Sequence, residues 1–289
     1  MHERSHAAQA IAKRQLLETL LGPGLYLVVA SALLLGYLLV REFVVAVDSS
    51  GFNYHLSAVY DLVGRILEGA FGRTFVEKLF AEGPFLFVFV VAMIPVCLFL
   101  VVSSVLRFGL EKSAGALELI AYGPADGTAY ILAGLAKDLV LFAASFALLF
   151  VFMAIAALLN NLVLGPMVLF AIPTVFLLSI SISAYGTFAS TLTSNAASAL
   201  VLFIAVMAIF LLVLLGSFAL VAGLAKGLAS VSAWTVSWIS PLFYAKLCFQ
   251  AVEAGQAGLF AAGLCALSLM TGMLVFVSHF VILARGIRG

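Results

Sequence analysis

LVLFAASFALLFVFMAIAALLNNLVLGP, residues 139–166, opens a stretch of 87 residues, 139–225, that contains no Asp, Glu, Lys, Arg or His. A helix needs about 20 apolar residues to cross the hydrocarbon core of a bilayer, which is roughly 30 Å thick. The stretch can therefore supply three crossings if polar turns divide it. Asn160 with Gly165–Pro166 marks one turn and Thr193–Asn195 marks another, because such residues release a helix where water can satisfy its backbone.

The rest of the chain has the same character. Of its 289 residues, 65% are hydrophobic and 9% are charged, whereas about a quarter of the residues in soluble proteins are charged. We predict an all-α polytopic membrane protein, a single transmembrane domain over residues 1–289. Its six spans are expected at 19–40, 83–106, 128–159, 166–191, 197–221 and 258–283.

The basic residues set the expected orientation, because Lys and Arg are enriched in the short loops on the cytoplasmic side. Six spans put both termini on one side, which we predict to be the cytoplasmic side of the inner (cell) membrane. That side carries eight basic residues: Arg4, Lys13, Arg14, Arg107, Lys112, Lys137, Arg285 and Arg288. The other side carries six: Arg41, Arg65, Arg73, Lys78, Lys226 and Lys246.

Two outer segments have unusual patterns. In the predicted outer loop 42–82, residues 57–80 place apolar residues at helical spacing opposite charged ones, which predicts a helix resting on the membrane surface. The apolar set is Val59, Val63, Ile66 and Ala70, and the charged set is Asp61, Arg65 and Glu68. Residues 223–257 are too polar and broken for a confident crossing, yet Trp234 and Trp238 suit the headgroup region. We predict two half-inserted helices there; the alternative is a seventh span, which would place the C-terminus outside.

A polar insert, EKSAGALELIAYGPADG at residues 111–127, separates the second and third predicted spans. Leu110, Ala114, Leu117 and Ala121 fall on one face of a helix, beside Glu111, Gly115, Glu118 and Tyr122. Gly123 and Pro124 would end that helix. The pattern predicts a short helix under the membrane, within residues 107–127. On local pattern alone, an ordinary solvated loop is the simpler interpretation.

A family resemblance favours the helix. Residues 94–139 resemble the signature region of type-2 ABC transporter permeases: an apolar span, then E-K-x-x-G-[TA]-L-E-L-[LI], a proline-bearing turn and a span with Gly134 three residues before Lys137. Residues 11–28 resemble the amphipathic lead-in helix of that family, predicted here at 1–22. Residues 238–256 and 284–289 resemble the segment before its last span and its basic tail. Among subfamilies, the chain looks closest to gliding-motility-associated permeases, although Ala116 stands where Thr is usual and Ala136 separates the usual Gly-Lys pair.

The resemblance implies a permease subunit, expected to be an exporter, that a separate ATPase subunit drives by docking on the insert. The ATPase-facing residues would be Glu111, Lys112, Gly115, Leu117, Glu118, Tyr122 and Pro124. It also implies a second permease copy or a related permease, with ATP and Mg²⁺ bound by the ATPase and no cofactor in this chain. The alternative is a non-transporting subunit of the same architecture that transmits ATPase motion to an envelope or surface machine. The chain has no G-x-x-x-x-G-K-[ST] loop, so we do not expect it to be an ATPase or another enzyme.

Several smaller features have structural interpretations. Ser179, Ser183, Gly186 and Ser190 form a small, weakly polar stripe on span four, which indicates either close subunit packing or the lining of a pathway. Lys137 and Asp138 lie near the end of span three and are interpreted as interfacial anchors. The three cysteines have no metal-binding or disulfide spacing.

Other functional classes fit the sequence less well. A net charge of +1 offers no basic patch for nucleic acid. Ion-coupled transporters keep ionisable groups at mid-membrane, which the uncharged stretch 139–225 argues against. The spans carry no G-x-S-x-G or H-E-x-x-H motif of an intramembrane protease. A structural membrane scaffold is a third, weaker hypothesis, and the sequence names no substrate.

Overall fold

The computed structural model describes residues 2–48, 51–52, 57–81, 83–114, 127–215 and 226–285. Within these ranges the protein is almost entirely helical. The first helices are α1 (His2–Leu21), α2 (Pro23–Val45), α3 (Ala58–Phe71), α4 (Arg73–Ala81) and α5 (Phe85–Ser113). They are followed by α6 (Gly127–Asn160), α7 (Pro166–Leu192), α8 (Ala196–Leu214), α9 (Lys226–Ile239), α10 (Pro241–Glu253) and α11 (Ala257–Arg285). Two short antiparallel strands, β1 (Val47–Asp48) and β2 (Gly51–Phe52), follow α2.

Six of the described helices, α2, α5, α6, α7, α8 and α11, are long and apolar enough to cross a membrane. This confirms the predicted number of spans and the all-helical class. The first span begins at Pro23 rather than at residue 19, because α1 ends at Leu21 and a proline opens the next helix. The fifth span ends at Leu214, earlier than the predicted residue 221; residues 216–225 lie outside the described part of the chain.

Helices α5 and α7 form the centre of the bundle. They pack against each other, and α5 also contacts α2, α6 and α8, while α7 also contacts α6, α8, α10 and α11. In the most apolar parts of α5 and α7, 56% and 50% of the residues are buried, against 17% for α8 and 11% for α11. The outer helices therefore leave long apolar faces uncovered by this chain, as expected of surfaces that face lipid or another membrane subunit.

We call the end of the bundle that carries α1 the α1 end. Helix α1 lies against α6 and contacts α2. Ile11 of α1 packs against a small buried group of Phe108, Tyr130 and Ile131. Residues 2–21 of the predicted lead-in segment 1–22 are helical; the amphipathic character of this helix and its position along a membrane face stay predictions.

At the opposite end, the single helix predicted over residues 57–80 is wrong. The chain breaks at Gly72, where φ is +93°, a backbone conformation that glycine adopts without strain. The face that packs inward is also different: Val59 and Ile66 are exposed, whereas Tyr60 is completely buried. Its hydroxyl donates a hydrogen bond to the carbonyl of Leu39 at 3.0 Å, so α3 is attached to α2.

The segment predicted at 223–257 forms two helices, α9 and α10, with Ser240 between them. Two contacts connect α10 to α3 and α4. Lys78 Nζ lies 3.3 Å from Glu253 Oε1, and Lys246 Nζ lies 5.7 Å from the ring centre of Phe71. These contacts place α10 beside α3 and α4; its half-insertion into a bilayer stays a prediction.

Candidate functional site

A buried ion pair lies at the centre of the bundle. Lys137 Nζ is 2.9 Å from Asp138 Oδ1, and the two residues expose only 3% and 2% of their surfaces. Both belong to α6, which is one of the membrane-spanning helices. Ionised side chains are costly to remove from water unless they are paired and hydrogen-bonded.

Two serines complete the polar cluster around this pair. Ser104 of α5 accepts a hydrogen bond from Lys137 Nζ at 2.9 Å and donates to the Asp138 carboxylate, whose oxygens lie at 2.9 and 3.0 Å. Ser183 of α7 donates to Asp138 Oδ2 at 2.5 Å. The cluster of Lys137, Asp138, Ser104 and Ser183 therefore joins three spans through polar contacts in the interior.

The interpretation of Lys137 and Asp138 as interfacial anchors is wrong. A long side chain near the end of a span can extend to the headgroups, but here the ammonium turns inward to the carboxylate and to Ser104. The available sequence signal was a Lys-Asp pair inside a helix, with a serine-rich span nearby to supply hydroxyls. Ser104 was missed because a single serine in an apolar span is a common feature of helix packing.

The predicted stripe of small residues on α7 is buried within the chain. Ser179 donates to the carbonyl of Val175 at 2.8 Å and lies 3.0 Å from the sulfur of Cys97 on α5. Ser190 donates to the carbonyl of Gly186 at 2.9 Å. With Ser183 bonded to Asp138, the stripe faces α5 and α6, the two spans that also form the ion-pair cluster.

Glycines allow α5 to approach its neighbours closely. A Cβ placed on Gly186 would lie 2.8 Å from a methyl of Val105. A Cβ on Gly109 would lie only 2.5 Å from the Cα of Ala196, at the start of α8. The second contact is with backbone, which cannot move aside as a side chain can, so glycine is required there.

A second charged network lies at the α1 end. Arg14 Nε donates to Glu18 Oε1 at 2.7 Å, and Arg107 on α5 donates to the other oxygen of the same carboxylate. Arg107 Nε is also 4.0 Å from Glu111 Oε1. The hydrogen bond from Arg14, with help from Arg107, holds the pKa of the Glu18 carboxyl below its usual range. This network attaches α1 to the end of α5.

The predicted ATPase-facing residues are described only in part. Glu111 and Lys112 continue α5, so residues 107–113 belong to the same helix as span two and not to a separate helix beneath it. Both side chains are half-buried, whereas Leu110 is exposed. Gly115, Leu117, Glu118, Tyr122 and Pro124 lie outside the described residues.

Lys112 links the end of α5 to the turn between α7 and α8. Its Nζ donates to the carbonyl of Thr193 at 2.8 Å, in the turn between α7 and α8. Asn195 caps α8 by accepting a hydrogen bond from the amide of Ser198 at 2.8 Å. The end of α5 is therefore fixed both to α1 and to the turn between α7 and α8.

Among the described residues, no three His, Cys, Asp or Glu side chains lie close enough to hold a metal ion. The ionised groups in the bundle are bonded to one another and connect helices. One network joins α1 to the end of α5, and the other joins α5, α6 and α7 in the interior.

Comparison with known proteins adds no assignment: no protein family, curated protein or solved structure showed significant similarity to this chain.

Proposed function

We propose that the chain is the membrane-spanning permease subunit of an ATP-binding cassette transporter, an exporter driven by a separate ATPase. The ATPase docks on the segment between α5 and α6, on the cytoplasmic side of the inner membrane, where both termini also lie. The resemblance of residues 94–139 to type-2 permeases supports this assignment, as does the presence of six apolar helices.

The observation that carries the proposal is the way α5 ends. It continues as one helix from Phe85 to Ser113, straight from the bundle into the segment that contains the motif. At that end Arg107 holds Glu18 and Lys112 holds Thr193. A force applied just beyond Ser113 would therefore reach α1 and α7 as well as α5, because stiff helices transmit rigid-body motion.

The buried cluster would carry the same motion further into the membrane. Ser104 on α5, Asp138 on α6 and Ser183 on α7 are joined by hydrogen bonds of 2.5 to 3.0 Å. Breaking this cluster would expose an ionised pair to an apolar interior, which is costly. The three spans therefore move together when α5 is pushed.

Affinity purification from native membranes tests the proposal. The chain is tagged, extracted in mild detergent and examined by mass spectrometry for a co-purifying ATPase and for a second permease chain. The proposal predicts stoichiometric recovery of a protein with a G-x-x-x-x-G-K-[ST] loop. Recovery of the chain without any nucleotide-binding partner, from membranes cross-linked before extraction, would contradict it.

The same complex distinguishes transport from mechanical work. In reconstituted vesicles, a transporter is expected to show ATP hydrolysis that rises with its substrate, together with movement of that substrate. If the chain instead transmits ATPase motion to a surface machine, the reconstituted complex would hydrolyse ATP without moving any substrate into the vesicles.

A further inference from the structure

A small cavity lies between the two charged networks. It has a volume of about 20 Å³ and is lined by residues of α1, α5, α6 and α7. Its lining includes Gln15, Ser104, Arg107, Tyr130, Lys137 and Thr187. The cavity therefore separates the Arg107 network at the α1 end from the buried Lys137–Asp138 pair.

Two polar atoms of the lining residues are buried and make no hydrogen bond to the protein: Nη1 of Arg107 and the hydroxyl of Tyr130. Tyr130 exposes only 4% of its surface. Leaving such groups without a hydrogen-bond partner in a protein interior is unfavourable. The Arg107 nitrogen can donate a hydrogen bond, and the Tyr130 hydroxyl can also accept one.

Other donors of the lining are partly or wholly engaged. Lys137 uses two of its three N–H groups, on Asp138 and on Ser104. Thr187 donates to the carbonyl of Ser183 at 3.0 Å. The cavity thus has spare donors from Arg107 and Lys137 and an acceptor in the hydroxyl oxygen of Tyr130. A single water molecule, which accepts two hydrogen bonds and donates two, can pair with all three.

The size and charge of the cavity select the ligand. A water molecule needs about 10–15 Å³ of free volume and two to four polar partners, and the cavity provides both. The positive charges of Arg14 and Arg107 are balanced by Glu18 and Glu111, and that of Lys137 is balanced by Asp138. A buried anion would add an uncompensated charge, which a low-dielectric interior disfavours.

We propose that this cavity is a binding site for one water molecule, held by Arg107, Tyr130 and Lys137, which hydrates the buried ion pair from the α1 end. The side chain of Arg107 is 25% exposed, so the site lies one side chain away from the surface. Water thus reaches an ionised pair inside the bundle from one end, whether or not an ATPase docks on the chain.

X-ray radiolytic labelling of the purified full-length protein tests the proposal, because hydroxyl radicals formed from bound water oxidise the side chains beside it. Tyr60 is the matched control: it has the same ring chemistry, is fully buried and donates to the Leu39 carbonyl. We expect Tyr130 to be oxidised several-fold faster than Tyr60, as resolved by peptide mass spectrometry. Equal, slow oxidation of both tyrosines would overturn the proposal.

A cavity-filling variant supplies the second arm. A Cβ on Gly134 meets only Gln15 Oε1, at 3.8 Å, so Gly134→Val can place its methyls in the cavity. This variant should lower Tyr130 oxidation to the level of Tyr60. Gly258→Val, at a site with open space within 4 Å, should leave it unchanged. Persistent Tyr130 oxidation in folded Gly134→Val would contradict the site. If that variant does not fold, the ratio of the Tyr130 and Tyr60 oxidation rates in the wild type is the test of the proposal.

A final arm separates water from a small anion. The wild-type measurement is repeated with chloride replaced by gluconate, which is too large for the cavity. Unchanged oxidation of Tyr130 supports water as the occupant. An increase on removing chloride would show that a halide had displaced the water, and would overturn the assignment.

Discussion

The ammonium of Lys137 lies 2.9 Å from the carboxylate of Asp138, and both side chains are 2% exposed. Successive residues of one helix do not normally face each other, so the spacing in the sequence does not by itself predict this pair. Ser104 and Ser183 then hold the carboxylate from two other spans. The pair is therefore a junction of three helices inside the membrane domain.

Removing one partner of this pair should be severely destabilising. Asp138→Ala leaves Lys137 buried without its counter-charge, for which we expect a loss of about 3–5 kcal/mol. The measurement is thermal unfolding of the purified protein in detergent. The double variant Lys137→Met/Asp138→Leu should recover most of the loss, because well-packed apolar residues often replace a buried pair at little cost.

Glu77→Ala is the control for that series, since Glu77 pairs with Arg73 at the surface with 53% and 76% of the side chains exposed. Exposed pairs contribute about 0–1 kcal/mol. If Asp138→Ala lowered the unfolding temperature as little as Glu77→Ala does, the buried pair would not act as a junction between the three helices.

The close approach of α5 and α8 should not tolerate a methyl group. Gly109→Ala would place a Cβ 2.5 Å from the backbone of Ala196, and overpacking of this kind costs about 1–3 kcal/mol. Gly272→Ala, in the middle of α11 with nothing within 4 Å of the new Cβ, should be neutral or slightly stabilising. Thermal unfolding compares the two. Equal stability of both variants would mean that the helices are not in contact at Gly109.

Attachment of α1 to α5 should weaken in acid. The folded pKa of Glu18 lies below its ordinary value of 4.5, so this contact stabilises the fold above that value and is lost as pH falls through the folded pKa. Spin labels at the exposed positions Lys13 and Leu110 should give a narrow distance distribution at pH 7 that broadens below pH 4.5. In the Glu18→Gln variant the distance distribution should be broad at both pH values. A narrow distribution in the wild type that does not change with pH would contradict the role of Glu18.

Charge reversal in the motif should uncouple the two proposed subunits. Glu118→Lys is expected to lower transport-linked ATP hydrolysis in the reconstituted complex while leaving the unfolding temperature of the permease unchanged, because acidic residues here would meet basic residues of the ATPase. Glu77→Lys, at the opposite end of the bundle, is the matched control. Normal coupling in Glu118→Lys would count against docking through this residue.

Much of the fold could be predicted from the sequence because the bilayer imposes a length on each apolar segment. The turns at Asn160 and Thr193 were found from their polar residues and agree with the ends of α6 and α7. Local details were harder to predict. The break at Gly72 was missed since the apolar spacing of residues 57–80 continues on either side of it, and sequence spacing carries no information on φ.

The candidate site was predicted only in part, for a physical reason. The small residues of α7 were identified from their spacing, but their partners on α5 and α6 depend on tertiary packing. Charges near the end of a span are compatible both with exposure at the headgroups and with burial as a pair. Which one occurs depends on whether hydroxyls such as those of Ser104 and Ser183 are within reach, and this is decided by the rotation of neighbouring helices.

Site-specific photo-cross-linking in living cells shows whether an ATPase docks on the segment after α5. A photoreactive amino acid replaces Glu118 in one strain and Gln256, at the opposite end of the bundle, in another, and the captured proteins are identified by mass spectrometry. We predict that position 118 captures a protein with an ATP-binding phosphate loop and that position 256 does not. If a membrane-impermeant reagent labels position 118 from outside the cell, or if position 118 captures no ATPase, the segment after α5 is not the docking site of an ATPase.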